Sequence, residues 1–243
     1  MPGFVDLHSH WVTAIDDGAP SIDEGVAMLK ALSAAGFERV IATPHMRPGM
    51  FENAKHDLER AFSSMRSSVG DPASLGLPEV ALSSEHFFDD VVFARIMAGE
   101  ALPYPGGKAI LVEFPVDAFP ARITHRIFDM RLRHLRPVIA HPERYRPVWN
   151  DVRSVEPLLD SGAVLLLDVA ALVGKYGRAA KQAALKLLEE GYYDAACSDA
   201  HREKDVADVS RGIERLEELV GREEVDYLLR AGPLSLLDGT LED

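Results

Sequence analysis

Phe4-Val5-Asp6-Leu7-His8-Ser9-His10 reads as a buried β-strand that ends in two imidazoles. Successive strand side chains point to opposite faces, so residues two apart share a face and His8 and His10 can grip one ion together. The same spacing returns near the other end of the chain in Ser198-Asp199-Ala200-His201. Ligand-type residues from both ends point to one site that the whole fold assembles.

Working outward from that strand, the chain alternates strand and helix. Seven short runs rich in Val, Ile and Leu read as buried parallel strands: Phe4–His8, Arg39–Thr43, Glu79–Ser84, Ala109–Phe114, Pro137–His141, Ala163–Val169 and Asp194–Ser198. The first helix starts at the capping box Ser21-Ile22-Asp23-Glu24 and stops at Gly36. Further helices are predicted over Ala54–Ser68, Asp89–Ala98, Ala121–Leu135, Val152–Ser161, Arg178–Glu190, Val206–Val220 and Glu223–Arg230. Gly70 to Pro78 is the one loose connection, and no linker or low-complexity tract divides the chain. Seven β-α units predict an α/β fold, a distorted TIM-like (β/α)7 barrel one unit short of the usual eight, as a single domain over 1–243.

The bulk numbers narrow the function. With 26 basic and 39 acidic residues the formal charge is −13, and no Lys/Arg run offsets it, which argues against nucleic-acid binding. Cys197 is the only cysteine, so an internal disulfide or a cysteine-rich zinc knuckle is excluded. The first residues lack the charged and apolar regions of a signal peptide. The most apolar stretch, Ala163 to Val173, contains Asp168 and is too short to span a bilayer. A cytoplasmic enzyme without membrane insertion is the expectation.

The placement of ligand-type residues decides the chemistry. His8 and His10 end the first strand, and His45 follows the second in Thr43-Pro44-His45. Glu85 follows the third, Glu113 ends the fourth, His141 ends the fifth, and Asp199 and His201 follow the seventh. Asp17, within Asp16-Asp17-Gly18, sits in the first β-α loop and can fold over the same mouth. Each piece alone has a plain reading as a structural histidine, a helix cap or a turn. Together, six of seven predicted strands deliver His, Asp or Glu to the rim where barrel enzymes keep their active sites. By contrast His56, His125 and His134 fall among charged neighbours in helical patterns and read as solvated, and His86, next to Glu85, is given no role.

Five histidines and four carboxylates exceed what one ion needs, so two or three ions with bridging carboxylates are expected. Mixed imidazole and carboxylate ligation suits manganese, iron or zinc. Three divalent ions would bring +6 against −4 from Asp17, Glu85, Glu113 and Asp199, leaving about +2, a trap for a small anion such as a phosphate ester. Arg47, two residues after His45, and Arg144, three after His141, offer guanidinium forks suited to phosphate oxygens. A cysteine-phosphatase mechanism needs Cys and Arg in a C-x5-R spacing; Glu203 stands where that arginine would be and Arg202 comes one position early. Cys197 reads instead as a small buried apolar residue.

Val5-Asp6-Leu7-His8-Ser9-His10 followed by Asp16-Asp17-Gly18 resembles the opening of the polymerase and histidinol phosphatase (PHP) superfamily. More narrowly the chain resembles the bacterial manganese-dependent protein-tyrosine phosphatases of capsule and exopolysaccharide loci. Thr43-Pro44-His45-Met46-Arg47-Pro48-Gly49-Met50-Phe51-Glu52, Ile139-Ala140-His141-Pro142-Glu143-Arg144-Tyr145 and Ser198-Asp199-Ala200-His201 carry that narrower match, in order along nearly the whole chain. The resemblance implies a PHP fold and three divalent metal ions, manganese foremost. His8, His10, Glu85 and Asp199 would hold the first ion. Glu85 would bridge to a second completed by Glu113 and His141, and Asp17, His45 and His201 would hold the third. Arg47 and Arg144 match arginines that contact phosphate. The implied reaction is attack on phosphorus by a hydroxide bridging the metals, its parent water lowered to a pKa near 7. The implied substrate is a phosphotyrosine protein, a bacterial tyrosine kinase in particular. Tyrosine leaves with a pKa near 10, so no general acid is nominated.

The chain also departs from its relatives. Asp168 ends the sixth strand where they carry an Asn-type residue, and it reads as a base behind the ligands or a structural group. Arg202 and Arg211 both miss the position of a further phosphate-binding arginine. Ser21-Ile22-Asp23-Glu24-Gly25-Val26 matches poorly the acidic motif through which some relatives form rings, which leaves the oligomeric state open. Two other readings remain: a small-molecule phosphatase of the same superfamily, acting on histidinol phosphate or a sugar phosphate, and a non-enzymatic metal or phosphopeptide binder. Many amidohydrolases use a bridging Lys at strand four, where this chain has Glu113.

Overall fold

A computed structural model describes residues 3–69 and 75–241. Their order is β1 (Phe4–Ser9), α1 (Ile22–Ala34), β2 (Phe37–Ala42), β3 (His45–Met46), α2 (Lys55–Val69), β4 (Glu79–Leu82), β5 (Glu85–Phe87), α3 (Asp90–Ala98) and β6 (Ala109–Glu113). There follow α4 (Ile123–Arg131), β7 (Arg136–Ala140), α5 (Arg146–Asn150), α6 (Glu156–Asp160), β8 (Val164–Asp168), α7 (Gly177–Glu189), β9 (Tyr193–Cys197), α8 (Val206–Asp226) and α9 (Gly232–Asp238). The loose connection read at Gly70 to Pro78 lies partly outside the described residues.

All strand pairs are parallel, as strands joined by crossover helices must be. The seven predicted strands are present, but the second and third are each split in two. Pro44 supplies no N–H to the ladder, so the second strand breaks between β2 and β3. Hydroxyl groups fill the gap: Ser84 Oγ donates to Pro44 O at 2.7 Å and Thr43 Oγ1 to Ser9 O at 3.3 Å. The sheet β1-β2-β4 therefore runs on into the sheet β3-β5-β6-β7-β8-β9. Main-chain bonds cross the step, from Ser83 N–H to Ala42 O at 2.8 Å and from Glu85 N–H to Thr43 O at 3.2 Å.

The last strand returns to the first. His10 N–H donates to Ala200 O and Asp199 N–H to His8 O, both at 2.9 Å. Below that pair, buried Asp6 accepts from Ser198 N–H at 2.9 Å and from Ser198 Oγ at 2.5 Å. The result is a distorted seven-position ring with an inner and an outer apolar layer. Val5, Leu7, Ile41, Leu111, Val138, Leu166 and Cys197 fill the interior, and Leu236 and Leu237 of α9 plug its floor. A larger layer, including Met28, Leu32, Val92, Ile127 and Leu187, packs helices on strands.

Several helices differ from their predicted extents. The stretch predicted as Ala121–Leu135 is helical only as α4, which starts after left-handed Arg122 and gives way to a turn at Leu132. Predicted Val152–Ser161 is a 3-10 turn, Val152–Val155, followed by α6, with Pro157 at the junction. The two helices predicted on either side of Gly221 are both present: α8 breaks between them, where Gly221 adopts the non-helical φ 81° and ψ 169°. Helices α5 and α9 are too short to show a periodic pattern and were not predicted.

Candidate metal centre

Strand periodicity carries the apolar interior up to a ring of polar groups. On β6 the inward positions Ala109 and Leu111 are followed two residues on by Glu113; on β9 Ala195 and Cys197 are followed by Asp199. On β7 the inward Val138 and Ala140 would be followed by Pro142, which offers no ligand. Instead His141 takes a left-handed backbone, φ 35°, and its ring turns inward; Asp199 does the same at φ 43°. Non-glycine residues held there cost of order 1–3 kcal/mol each and concentrate at functional sites.

All nine candidate ligands gather at this end. His8 Nε2 faces His10 Nε2 at 3.1 Å. Glu85 Oε2 lies 3.3 Å from His8 Nε2, 3.5 Å from His10 Nε2 and 2.9 Å from His45 Nδ1, while Oε1 lies 3.0 Å from His141 Nε2. Asp199 Oδ1 is 3.3 Å from His8 Nε2, 3.7 Å from His10 Nε2 and 3.6 Å from His201 Nδ1. Asp17 Oδ1 is 3.4 Å from His45 Nε2 and 3.6 Å from His201 Nε2. Four groups have donor atoms within 4.8 Å of one another: His8, His10 and Glu85; His8, His141 and Asp199; His45, Glu85 and Glu113; and His10, Asp17, His45 and His201. These groups put Asp17, His45 and His201 together, as the family partition has it, but place His141 with His8 and Asp199 rather than with Glu113.

The donor set fits divalent ions. Two ring nitrogens facing each other at 3.1 Å satisfy both lone pairs only if a cation or a shared proton lies between them. Asp199 Oδ1 and Glu113 Oε2 are buried without a hydrogen-bond partner, which a coordinated ion would supply. The titration pattern agrees. Burial opposes the His10 imidazolium, yet Asp16 at 2.7 Å outweighs it and lifts the group to about 9. Burial likewise opposes ionised Glu85, but His8 and His45 hold it well below the usual carboxylate range. Burial and the charge of Glu85 push Glu113 up to about 7, while burial and Arg144 push His141 down to about 4. Protons settle on some imidazoles because a dense carboxylate cage attracts positive charge.

Arg47 and Arg144 flank the cage. Arg144 Nη1 donates to Asp199 Oδ2 at 2.6 Å, and Arg47 Nη1 lies 3.7 Å from Glu113 Oε2. Arg202 is occupied elsewhere: it donates to Asp17 O at 2.6 Å, to Gly18 O and to His201 O at 2.8 Å. Arg211 pairs with Asp208 one turn away on exposed α8. Away from the centre, His56, His125 and His134 are exposed, and buried His86 is held by main-chain groups, Leu111 O at 2.8 Å and Leu102 N–H at 3.2 Å.

Asp16 is a site residue that the strand-end pattern does not single out. Its Oδ2 bonds His10 Nδ1 at 2.7 Å and accepts from His45 N–H at 3.1 Å, so it orients two candidate ligands from behind. The signal was present in Asp16-Asp17-Gly18: Asp16 Oδ1 accepts from Gly18 N–H at 2.8 Å in an Asx turn, which sends the neighbouring carboxylate outward. Phe51, stacked on His45 with ring centroids 5.2 Å apart, and Phe87, beneath Arg47 at 4.2 Å, were also unforeseen.

Known proteins share this arrangement of the chain. Tyrosine-protein phosphatase YwqE of Bacillus subtilis is 29% identical over 204 residues, covering 82% of this chain and 78% of that protein. Putative tyrosine-protein phosphatase CapC of Staphylococcus aureus is 24% identical over 197 residues, covering 81% and 76%. The fold superposes with a TM-score of 0.86, at 28% identity and over 96% of this chain and 94% of the other, on a solved structure from work on YwqE and Streptococcus pneumoniae CpsB described as unique metal-dependent tyrosine phosphatases. An amidohydrolase from Mycoplasma synoviae, 12% identical with a TM-score of 0.64, shares the fold alone. The profile of the family "Capsular polysaccharide synthesis, CpsB/CapC" matches residues 4–238, so the chain belongs to the CpsB/CapC family.

Proposed function

We propose that this chain is a metal-dependent phosphotyrosine-protein phosphatase of capsule or exopolysaccharide synthesis, with a bacterial tyrosine kinase as substrate and the cytoplasm as its place of work. The observation that carries the reading is the convergence of His8, His10, Asp17, His45, Glu85, Glu113, His141, Asp199 and His201 in a chain whose relatives are tyrosine phosphatases. No helix among the described residues is long and apolar enough to cross a membrane. We assign these nine residues to three divalent ions, manganese first, with iron or zinc as the alternatives the donor types permit. When bound, such ions neutralise phosphate charge and lower the pKa of coordinated water toward 7, so that hydroxide is available for in-line attack on phosphorus.

The protein's own groups do the rest. Glu85 and Asp199 pin the central imidazoles, and Asp16 fixes the His10 ring so that its Nε2 faces inward. Arg47 and Arg144 enter from opposite neighbours, Glu113 and Asp199, and are placed to bind phosphoryl oxygens and the charge they develop. The buried walls exclude bulk water, which strengthens each of these interactions. The tyrosine oxygen leaves without a dedicated acid.

Assaying the manganese-loaded protein on phosphotyrosine peptides, histidinol phosphate and sugar phosphates, before and after chelation, tests the reading. Preferential hydrolysis of the peptide that chelation abolishes is expected. Clear preference for an alkyl phosphate, or full activity without metal, overturns it.

A further inference from the structure

We propose that Tyr176 is a positioning residue for phosphate capture: its ring carries the Arg144 guanidinium, and its hydroxyl is anchored by the buried carboxylate of Asp168. The proposal rests on the phosphatase reading and goes beyond it, since it gives work to Asp168 and Tyr176, which lie outside the nine candidate ligands.

Asp168 closes β8 on the inner face and is fully buried. Its Oδ1 accepts from Ala170 N–H at 2.9 Å, and its main-chain N–H donates to Glu143 Oε1 at 3.0 Å. Glu143 is itself fixed, accepting from the Tyr193 hydroxyl at 2.9 Å. Asp168 Oδ2 is buried without a hydrogen-bond partner, and Tyr176 is near enough for the two groups to shift each other's titration. A rigid carboxylate thus has a spare oxygen, and the Tyr176 hydroxyl is the donor we assign to it.

The chain delivers Tyr176 by a tight turn. Gly177 N–H donates to Gly174 O at 3.0 Å, and both glycines take positive φ, 92° and 88°, which lets the backbone reverse within four residues. The ring then lies under Arg144, whose Cζ is 4.5 Å from its centroid, with Lys175 Nζ 5.3 Å from the same centroid. Lys175 is drawn aside by Asp205 at 3.9 Å, so Arg144 is the cation this ring holds closely. Arg144 needs that seat. Its other partner, Asp199 at 2.6 Å, also belongs to the metal-ligand cage, and a guanidinium held by Asp199 alone can follow that carboxylate. A planar ring fixes the guanidinium plane while leaving its edge, and its remaining donors, for phosphate. Arg47 sits on Phe87 in the same way at 4.2 Å, but phenylalanine has no hydroxyl to anchor. The Arg144 side is therefore the more rigid half of the clamp.

Calorimetric titration of inorganic phosphate into the manganese-loaded protein, with metal content measured in parallel, tests this. Tyr176→Leu is expected to weaken phosphate binding about tenfold and Tyr176→Phe about threefold, both with native metal content. In an Arg144→Ala background, Tyr176→Leu should add nothing, because the ring acts only through that guanidinium. Native phosphate affinity in both Tyr176 variants, or an undiminished loss from Tyr176→Leu in the Arg144→Ala background, overturns the proposal. Should Tyr176→Leu fail to fold, Tyr176→Phe alone decides it, with and without Arg144→Ala. Wild-type protein that hydrolyses no phosphotyrosine peptide would instead sink the phosphatase reading, an outcome distinct from both.

Discussion

At the scale of single residues, burial and partnership separate ligands from bystanders. Asp199 and His141 are 2% exposed, sit in strained left-handed conformations and reach the centre of the cage, so each is expected to be indispensable. Asp199→Ala and His141→Ala should abolish phosphotyrosine hydrolysis, whereas exposed His125→Ala should leave turnover within about twofold of wild type; steady-state kinetics on all three would show it. Comparable losses in all three would break the assignment. His86 gives a second, independent prediction. It is buried and its pKa falls to about 4, because burial outweighs its hydrogen bond to Leu111 O. The unfolded chain binds that proton near 6.5, so between about 6.5 and 4 the unfolded state holds more protons than the folded one. Acid therefore costs stability through that window, on the order of 3 kcal/mol in all, and none above it. Denaturant melts of metal-free wild type and His86→Gln across that range should show the shallower slope in the variant; equal slopes would refute the account. Residue types at strand ends could be read from the sequence because strand periodicity fixes their direction. The left-handed turn of His141 could not, since plain alternation points Pro142 inward, and Asp16 was hidden by standing beside a second aspartate.

At the scale of elements, the first and last β-α loops act as one unit. Gly18 packs so closely against the residue that follows β1 that a Cβ there would lie 2.1 Å from His10 O, which holds the Asp17 loop down over the imidazoles. From the other loop Arg202 reaches across to Asp17 O and Gly18 O while also bonding His201 O. Its charge is spent on main-chain carbonyls, which makes it a strap between loops and leaves phosphate to others. Asp17 is 56% and His201 26% exposed at their side chains, against 0–1% for His8 and Glu85, so the group these loops form is the most open one. Arg202→Ala is therefore expected to lower the metal content by about one ion per chain while the protein stays folded; elemental analysis after dialysis checks this, and unchanged content would contradict it. Such loop-to-loop ties join residues about 185 positions apart, and no local pattern announces them. The split of the second and third strands was equally hard to see. Pro44 marks the break, but the compensation comes from Ser84 and Thr43 hydroxyls on neighbouring strands. Helices with clear caps, such as α1 behind Ser21 and α3 behind Asp89, were legible because their start signals are local.

At the scale of the whole molecule, the closure of the ring is what brings the candidate metal ligands together. The first and last strands meet through Asp6 and Ser198, through the His8–Asp199 and His10–Ala200 main-chain bonds, and through the ligands those strands carry. Without cations, Asp16, Asp17, Glu85, Glu113 and Asp199, five of the carboxylates behind the formal charge of −13, crowd one end of the chain. Self-repulsion there works against closure, and burial has pushed Asp6 at the seam up to about 6, so its charge too is held at a cost. Divalent ions held by these groups would reverse the sign of the problem, since each would tie together residues from distant parts of the chain that only the folded state assembles. An ion present at a thousandfold over its Kd adds about 4 kcal/mol, roughly 10 °C in Tm for a chain of this size. Chelation is therefore expected to remove activity and to lower Tm together, with both restored on adding manganese. The order of loss should follow exposure: the Asp17, His45 and His201 group empties first, with most of the stability retained, and the His8, His10 and Glu85 group last, with the larger drop in Tm. Stepwise chelation followed by calorimetry and elemental analysis would resolve the two stages. A Tm that is unchanged when the last ion leaves would mean that the ring closes without help from metal, and that the nine candidate ligands serve chemistry alone.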